Sequence, residues 1–372
     1  MKINCLILLG LTLCLRATAA EPPALRLYEE SISVVVPPER FVYNWRDAVL
    51  MKAFIDVSRS DSRQKERIED YIYDAMTRSA STAHGMHPNA VASACGFAFL
   101  KEVGRNTPET DAALERVLQQ FRAIVRSADG GCSHRPSRVE LWDDTLYMLD
   151  IFLLQSYRAT GDFSYVEELA AQVLVHARHL KDPHAGLWYH GWAESAEVND
   201  DGCCLKAWNA NPSQRNSEFW GRGNGWVAMT LADLLEFLPK DHPNYQEIRQ
   251  MYFQMMRTLR NLQDKRSGLW FQLLAHPSDE GNFLETSCSA MFAYAFEKGT
   301  KLGILPSCYH KRAVQALRGL DDTVRSGDME LKGVCEGTCI GDKAYYYARH
   351  QGGGQTYATG VYIMLQNIIY NQ

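Results

Sequence analysis

The chain has 372 residues, of which 46% are hydrophobic and 22% charged, with a formal net charge of -5. That is enough apolar material for a large core, and the lack of a basic block argues against nucleic acid or an anionic membrane as a partner. At ~150 residues per domain the length corresponds to about two domains, although barrels often run longer as one unit.

The first residues, M-K-I-N-C-L-I-L-L-G-L-T-L-C-L-R-A-T-A-A, combine a basic start, an apolar run and a small-residue finish. This pattern predicts a secretory signal peptide over residues 1–20, cleaved after Ala19 or Ala20. The run is too short to span a bilayer comfortably, and no later segment approaches ~20 apolar residues. A secreted mature protein without a membrane segment is therefore expected. Cys5 and Cys14 leave with the signal, and Cys95, Cys132, Cys203, Cys204, Cys288, Cys308, Cys335 and Cys339 remain. An even number in an oxidising compartment is consistent with disulfides of unspecified pairing. No second Cys or His pair follows Cys335 and Cys339 at zinc spacing, so neither metal nor cofactor is expected.

From there the pattern is helical almost throughout. Residues 44–57 place Trp45, Val49, Ala53 and Val57 on one face. Residues 89–103, 109–127, 140–159, 163–180, 224–238, 244–262, 286–303, 309–325 and 354–370 also read as helices. Thr107-Pro108-Glu109 has the form of a helix start, with Pro in the first turn. No alternating run is long enough to argue for a sheet. A weak repeat links D-P-H-A-G-L-W-Y (182–189) with D-K-R-S-G-L-W-F (264–271), and more loosely with D-G-G-C-S-H (129–134). Turn residues followed by an aromatic, recurring between helix pairs, predict stacked helical hairpins. Six hairpins closed into a ring, an all-α (α/α)6 barrel over residues 21–372, bury every apolar face. An open solenoid would need two capped ends. In a closed ring the loops at one end converge on a central cleft.

The richest acidic stretch is V-E-L-W-D-D-T-L-Y-M-L-D (139–150). Asp143 and Asp144 fall near a helix start, where either can cap backbone N–H groups or complement the helix dipole. Their apolar neighbours Trp142, Tyr147 and Met148 would raise a carboxyl pKa toward that of a general acid. His190, between aromatics in Y-H-G-W with Trp192, is a candidate sugar contact, and His134 is a weaker one. Each can equally be a core histidine satisfied by backbone. In W-G-R-G-N-G-W (220–226), Arg222 offers a rigid fork for a carboxylate. The glycines permit close backbone approach, Trp220 and Trp226 offer flat faces, and Asn224 can cap the following helix. The alternative is a Gly-rich turn flanked by core tryptophans. Without a preceding strand, the glycine pattern is no nucleotide loop.

These motifs, together with N-W-R-D-A-V-L-M, E-T-S-C-S-A-M-F-A-Y-A-F (285–296) and G-V-C-E-G-T-C-I-G-D (333–342), resemble the unsaturated glucuronyl and rhamnogalacturonyl hydrolases of glycoside hydrolase families 88 and 105. The resemblance spans nearly the whole mature chain, in order. It implies an (α/α)6 barrel acting on oligosaccharides left by polysaccharide lyases. Such enzymes hydrate the C4=C5 double bond of a terminal unsaturated uronic acid, and the hemiketal then opens to release the next sugar. By resemblance Asp144 is the catalytic acid/base. His190 and Arg222 contact the sugar and its carboxylate, and Trp45, Trp220 and Trp226 line the cleft. The family's second Asp lies in a region that here reads M-H-P-N-A-V-A-S-A-C-G, where Asn89 is the nearest candidate and cannot share a proton. The alternatives are an inverting glycosidase on saturated oligosaccharides and an inactive carbohydrate-binding protein.

Overall fold

The computed structural model describes residues 38–197, 202–324 and 331–371. The expected signal peptide lies outside them. In chain order the elements are α1 (Trp45–Ser60), α2 (Lys65–Ser79), α3 (Pro88–Val91), α4 (Cys95–Glu102), α5 (Pro108–Arg122), β1 (Glu140–Trp142), α6 (Asp143–Thr160), α7 (Ser164–Leu180) and β2 (Gly191–Ala193). They continue with α8 (Gly221–Phe237), α9 (Tyr245–Leu262), α10 (Thr286–Lys301), α11 (Cys308–Asp321), β3 (Val334–Cys335), α12 (Lys343–Tyr347), β4 (Gln351–Gly352) and α13 (Thr356–Tyr370).

Helices α1, α4, α6, α8, α10 and α13 pack side by side in that order, and α13 returns against α1. This closes an inner ring. Helices α2, α5, α7, α9 and α11 lie outside it, each against its chain neighbours. The inner helices are buried nearly all round. In α8 every residue from Gly221 to Leu235 is buried, whereas α9 buries only a stripe that includes Ile248, Met251, Tyr252, Met255, Met256 and Leu259. That difference between a core helix and an amphipathic surface helix assigns the two rings.

Local signals set the helix starts. Thr107 caps α5 in a capping box with Thr110, and Asn44 caps α1 by accepting from the Arg46 and Asp47 N–H groups. The repeated turn is also a real structural unit. Asp182 Oδ1 accepts from His184 and Ala185 N–H, and Asp264 Oδ1 accepts from Ser267 N–H. Gly186 and Gly268 take the left-handed φ values +69° and +77° that the turn demands. The tryptophan after each turn is then pinned to the next inner helix. Trp188 N–H donates to Asn224 of α8, and Trp270 N–H donates to Ser289 of α10.

The structure departs from the sequence reading at several places. Residues 65–79 form a helix that the periodicity reading omitted, because its buried Ile68, Tyr71, Ile72, Ala75 and Met76 are diluted by charges. The stretch read as helix 140–159 begins as a strand. Glu140, Leu141 and Trp142 pair antiparallel with Ala193, Trp192 and Gly191. Helix α8 starts at Gly221 rather than near Asn224. Of the eight expected cysteines, Cys203 and Cys339 form a disulfide, while Cys95, Cys132, Cys204, Cys288, Cys308 and Cys335 are not disulfide-bonded. No described helix is long and apolar enough to cross a membrane.

Candidate active site

The N-terminal turns of the inner helices meet at one end of the barrel. Trp45, the first residue of α1, packs on Tyr357 in the first turn of α13 at 4.9 Å and meets Trp226 of α8 edge-on at 6.4 Å. Arg222 in the first turn of α8 lies 3.8 Å from Glu285, the N-cap of α10. Asn89 of α3 reaches, through His134, to Thr145 in the first turn of α6. Helix N-termini carry partial positive charge, so their convergence makes this end attractive to an anion.

Asp144 stands at the centre, in the first turn of α6, with its side chain 18% exposed. His190 Nε2 lies 3.1 Å from Asp144 Oδ2. The tautomer of His190 follows from its other neighbour. Its Nδ1 is 2.8 Å from the Tyr346 hydroxyl, and that oxygen already accepts from Gly341 N–H and Asn216 Nδ2. The Tyr346 proton therefore goes to Nδ1, which leaves the imidazole N–H on Nε2, beside Asp144. His134 stacks on Trp142 at 4.4 Å with the rings 6° apart. Asn89 Nδ2 donates to its Nε2 at 3.3 Å, so His134 Nδ1–H donates to Thr145 Oγ1 at 2.9 Å. Burial pushes the His134 imidazole down to about 3, despite the Asp144 charge, and burial also lowers His190. Both rings are neutral at pH 7.

The two adjacent carboxyls part company. Burial would raise Asp144, but the close His190 imidazole, aided by His134 and Asp143, brings it down to about 2. Asp143 is fully buried and is held well above the usual carboxyl range by that burial and by the Asp144 charge. Its carboxyl lies within 4.8 Å of that of Asp144, and neither of its oxygens has a hydrogen-bond partner among the described residues. It rests against Gly223 of α8, where an added Cβ would come within 2.2 Å of Asp143 Oδ2. Gly221 and Gly225 are likewise closed in, by Cys288 and by Met291. The glycines of W-G-R-G-N-G-W thus admit protein atoms rather than a ligand. Neither Asp143 nor Asp144 caps α6: the N-cap is Trp142, without a side-chain cap bond.

Exposure sorts the other expected contacts. Trp45 and Asn89 are half-buried and present surface to the cleft, and His134 is 8% exposed. Trp220 and Trp226 are fully buried, Trp220 at 4.3 Å under His190 and Trp226 stacked on Tyr147 at 4.9 Å. Arg222 is 1% exposed, and its fork is spent on the chain itself. Nη1 donates to Cys335 O at 2.8 Å and Nη2 to Glu336 O at 2.7 Å, while the guanidinium stacks over Trp220 at 4.4 Å. It fastens the segment after β3 to the floor of the site. Asn224 is one turn inside α8, fully buried, with its carbonyl accepting from Trp188 N–H and its amide donating to Trp188 O and Trp220 O. It neither caps the helix nor reaches a ligand, because the helix begins three residues earlier. Trp192 lies on His179 at 3.9 Å, at the end of outer helix α7.

Tyr346, Thr145 and Glu285 also take part in the site; Thr145 and Glu285 lay within the quoted motifs without being singled out, and Tyr346 carried no sequence signal. Glu285 was legible only as an acid before a helix. Buried, it accepts from Ser287, Cys288 and Cys335 N–H and faces Arg222.

The comparisons agree with this fold. The profile of Glycosyl Hydrolase Family 88 matches residues 27–369, and the chain belongs to that family; it is a glycoside hydrolase. Among relatives, it is 29% identical over 278 residues to the unsaturated rhamnogalacturonyl hydrolase YesR of Bacillus subtilis, covering 72% of this chain and 73% of that one. An unsaturated 3S-rhamnoglycuronyl hydrolase of Alteromonas is 27% identical over 174 residues, covering 47% of this chain and 38% of the relative. The fold is that of a family 105 glycoside hydrolase from C. acetobutylicum, with TM-score 0.79 and 22% identity over 93% of this chain and 99% of that one. A possible family 105 member from Salmonella enterica gives 0.77 at 25% identity, over 94% of each chain. The closed ring is therefore the (α/α)6 barrel expected from the repeats.

Proposed function

We propose that the protein removes the unsaturated uronic acid from the non-reducing end of lyase-generated oligosaccharides of the rhamnogalacturonan type, by hydrating its C4=C5 bond. The observation that carries this reading is Asp144, a cleft-facing carboxylate held between a neutral imidazole N–H and a neutral carboxyl. Support for the substrate class comes from family membership and from YesR, named an unsaturated rhamnogalacturonyl hydrolase. The half-buried Trp45 borders the cleft, with Tyr357 and Arg46 against its ring, and the converging helix N-termini favour the sugar carboxylate. Asp144 takes the proton of the water that adds to C5, and C4 receives a proton from the same side. The resulting hemiketal opens and releases the next sugar. A saturated-glycoside mechanism is less well served, because it wants its second carboxyl across the cleft, and Asp143 is adjacent and buried. The signal-like pattern over residues 1–20 supports a site of action outside the cell.

The test is loss of the enol-ether absorbance on lyase-cut rhamnogalacturonan. Asp144→Asn is expected to lower kcat by about 100-fold or more, the usual range for removing a general acid/base. No absorbance loss with any lyase product would refute the substrate class, and full activity of Asp144→Asn would refute the assignment of the residue.

A further inference from the structure

The proposed hydration poses a proton problem that the site itself answers. C4 must be protonated, yet Asp144 is ionised at neutral pH and its two imidazole neighbours are neutral. Asn89, the other polar side chain reaching this site from α3, binds His134 and carries no acidic proton. A different acid is in reach.

We infer that Asp143 is a positioning residue that stores the proton delivered to C4 through Asp144, so that two consecutive residues of one helix turn form the proton-sharing pair of this enzyme. Four features carry the inference. Oxygen atoms of Asp143 and Asp144 and a ring nitrogen of His190 all lie within 4.8 Å of one another. Asp143 is fully buried, and neither of its carboxyl oxygens has a hydrogen-bond partner among the described residues, with the Asp144 carboxylate next to it. No cation pairs with it among the described residues, and burial beside the Asp144 carboxylate outweighs the backbone N–H groups that favour its charged form. Finally, α8 is cut away to receive it: Gly223 leaves a space that any Cβ would fill to 2.2 Å from one carboxyl oxygen and 2.5 Å from the other. A helix gives up about 1 kcal/mol for a glycine relative to alanine, so a seat of this kind has a cost that an inert buried side chain would not require.

The steps balance. Asp143 passes its proton to the ionised Asp144, which then delivers it to C4: the C4=C5 π pair forms the C4–H bond and leaves C5 as an oxocarbenium ion stabilised by the ring oxygen. Water then adds to C5, forming C–O, and its released proton returns to the pair. The pair loses one proton and regains one, with no further reactant. Two carboxyls this close titrate as a unit, holding one proton over a wide pH range.

This inference rests on the hydratase reading, and the experiment separates the two. The pH dependence of kcat on lyase-cut rhamnogalacturonan is measured for wild type, Asp143→Asn and Asp144→Asn, with circular dichroism to confirm folding. Asn at 143 keeps the shape and a hydrogen-bond donor but has no proton to give. The expected result is a loss of at least about tenfold in kcat at pH 7 for Asp143→Asn. Its alkaline limb should also move to lower pH by at least about one unit, because Asp144 alone holds a proton only in acid. An Asp143→Asn profile of unchanged shape, whatever its height, would mean a merely structural role and would overturn the inference while leaving the function intact. If wild type turns over no lyase product, the function and the proton path fall together. The infrared band of a protonated carboxyl, taken as wild type minus Asp143→Asn at pH 7, then still reports on the stored proton: its absence would rule out the proton-sharing pair on its own.

Discussion

Asn224→Ala distinguishes a residue that builds the site from one that binds the ligand. Asn224 makes three buried hydrogen bonds: Trp188 N–H donates to it at 2.8 Å, and it donates to Trp188 O at 2.8 Å and to Trp220 O at 3.0 Å. Each bond is worth about 0.5–1.5 kcal/mol net, and a buried group left unpaired costs about 1–3 kcal/mol. Alanine leaves the Trp188 N–H orphaned, whereas Trp220 O keeps its backbone bond from Asn224 N–H. The loss should be about 3–5 kcal/mol, a large fraction of the about 5–15 kcal/mol that holds a typical domain folded. Ser289→Ala is the internal comparison. Ser289 accepts from Trp270 N–H and donates to Glu285 O, so its removal should cost less, about 2 kcal/mol. Equilibrium urea unfolding reads both as a fall in midpoint at unchanged slope. If Asn224→Ala stays within about 0.5 kcal/mol of wild type while KM for the oligosaccharide rises, the residue is a ligand contact and the structural assignment is wrong.

Two further outcomes are expected. For Gly223→Ala, helix propensity alone promises a gain of about 1 kcal/mol, but contact with the Asp143 carboxyl at 2.2 Å makes this overpacking, worth about 1–3 kcal/mol in the other direction. The variant should be no more stable than wild type in urea and should lose kcat; a stabilised, fully active protein would show that the seat is idle. Stability should also fall in acid. His134 binds a proton near pH 6.5 when unfolded but only near 3 when folded, so the stability it contributes is complete above 6.5 and is lost as pH drops toward 3. The urea midpoint measured from pH 7 to pH 4 should decline, and less steeply in His134→Gln; equal slopes would contradict the buried neutral imidazole.

What could be read from the chain alone was whatever depends on neighbours in sequence. The helix periodicities, the Thr107-Pro108 start and the Asp-x-x-x-Gly-Leu-Trp turn repeat each act within about ten residues, and together they determined a ring of helical hairpins. The Asp143-Asp144 pair stood out because acids beside aromatics at a helix start are chemically unusual, and the choice of Asp144 rested on the family resemblance. Distance in sequence hid the rest. The tautomer of His190 depends on Tyr346, which is 156 residues away. Arg222 had the composition of a carboxylate fork, but Cys335 and Glu336 carbonyls, more than 110 residues on, occupy it. Asp143 and Asp144 are nearly identical as sequence, and only burial separates them: one faces the cleft, and the other is sealed against Gly223. A carboxyl's charge is set by the water and dipoles around it, and the closed barrel alone determines which of the two keeps its water.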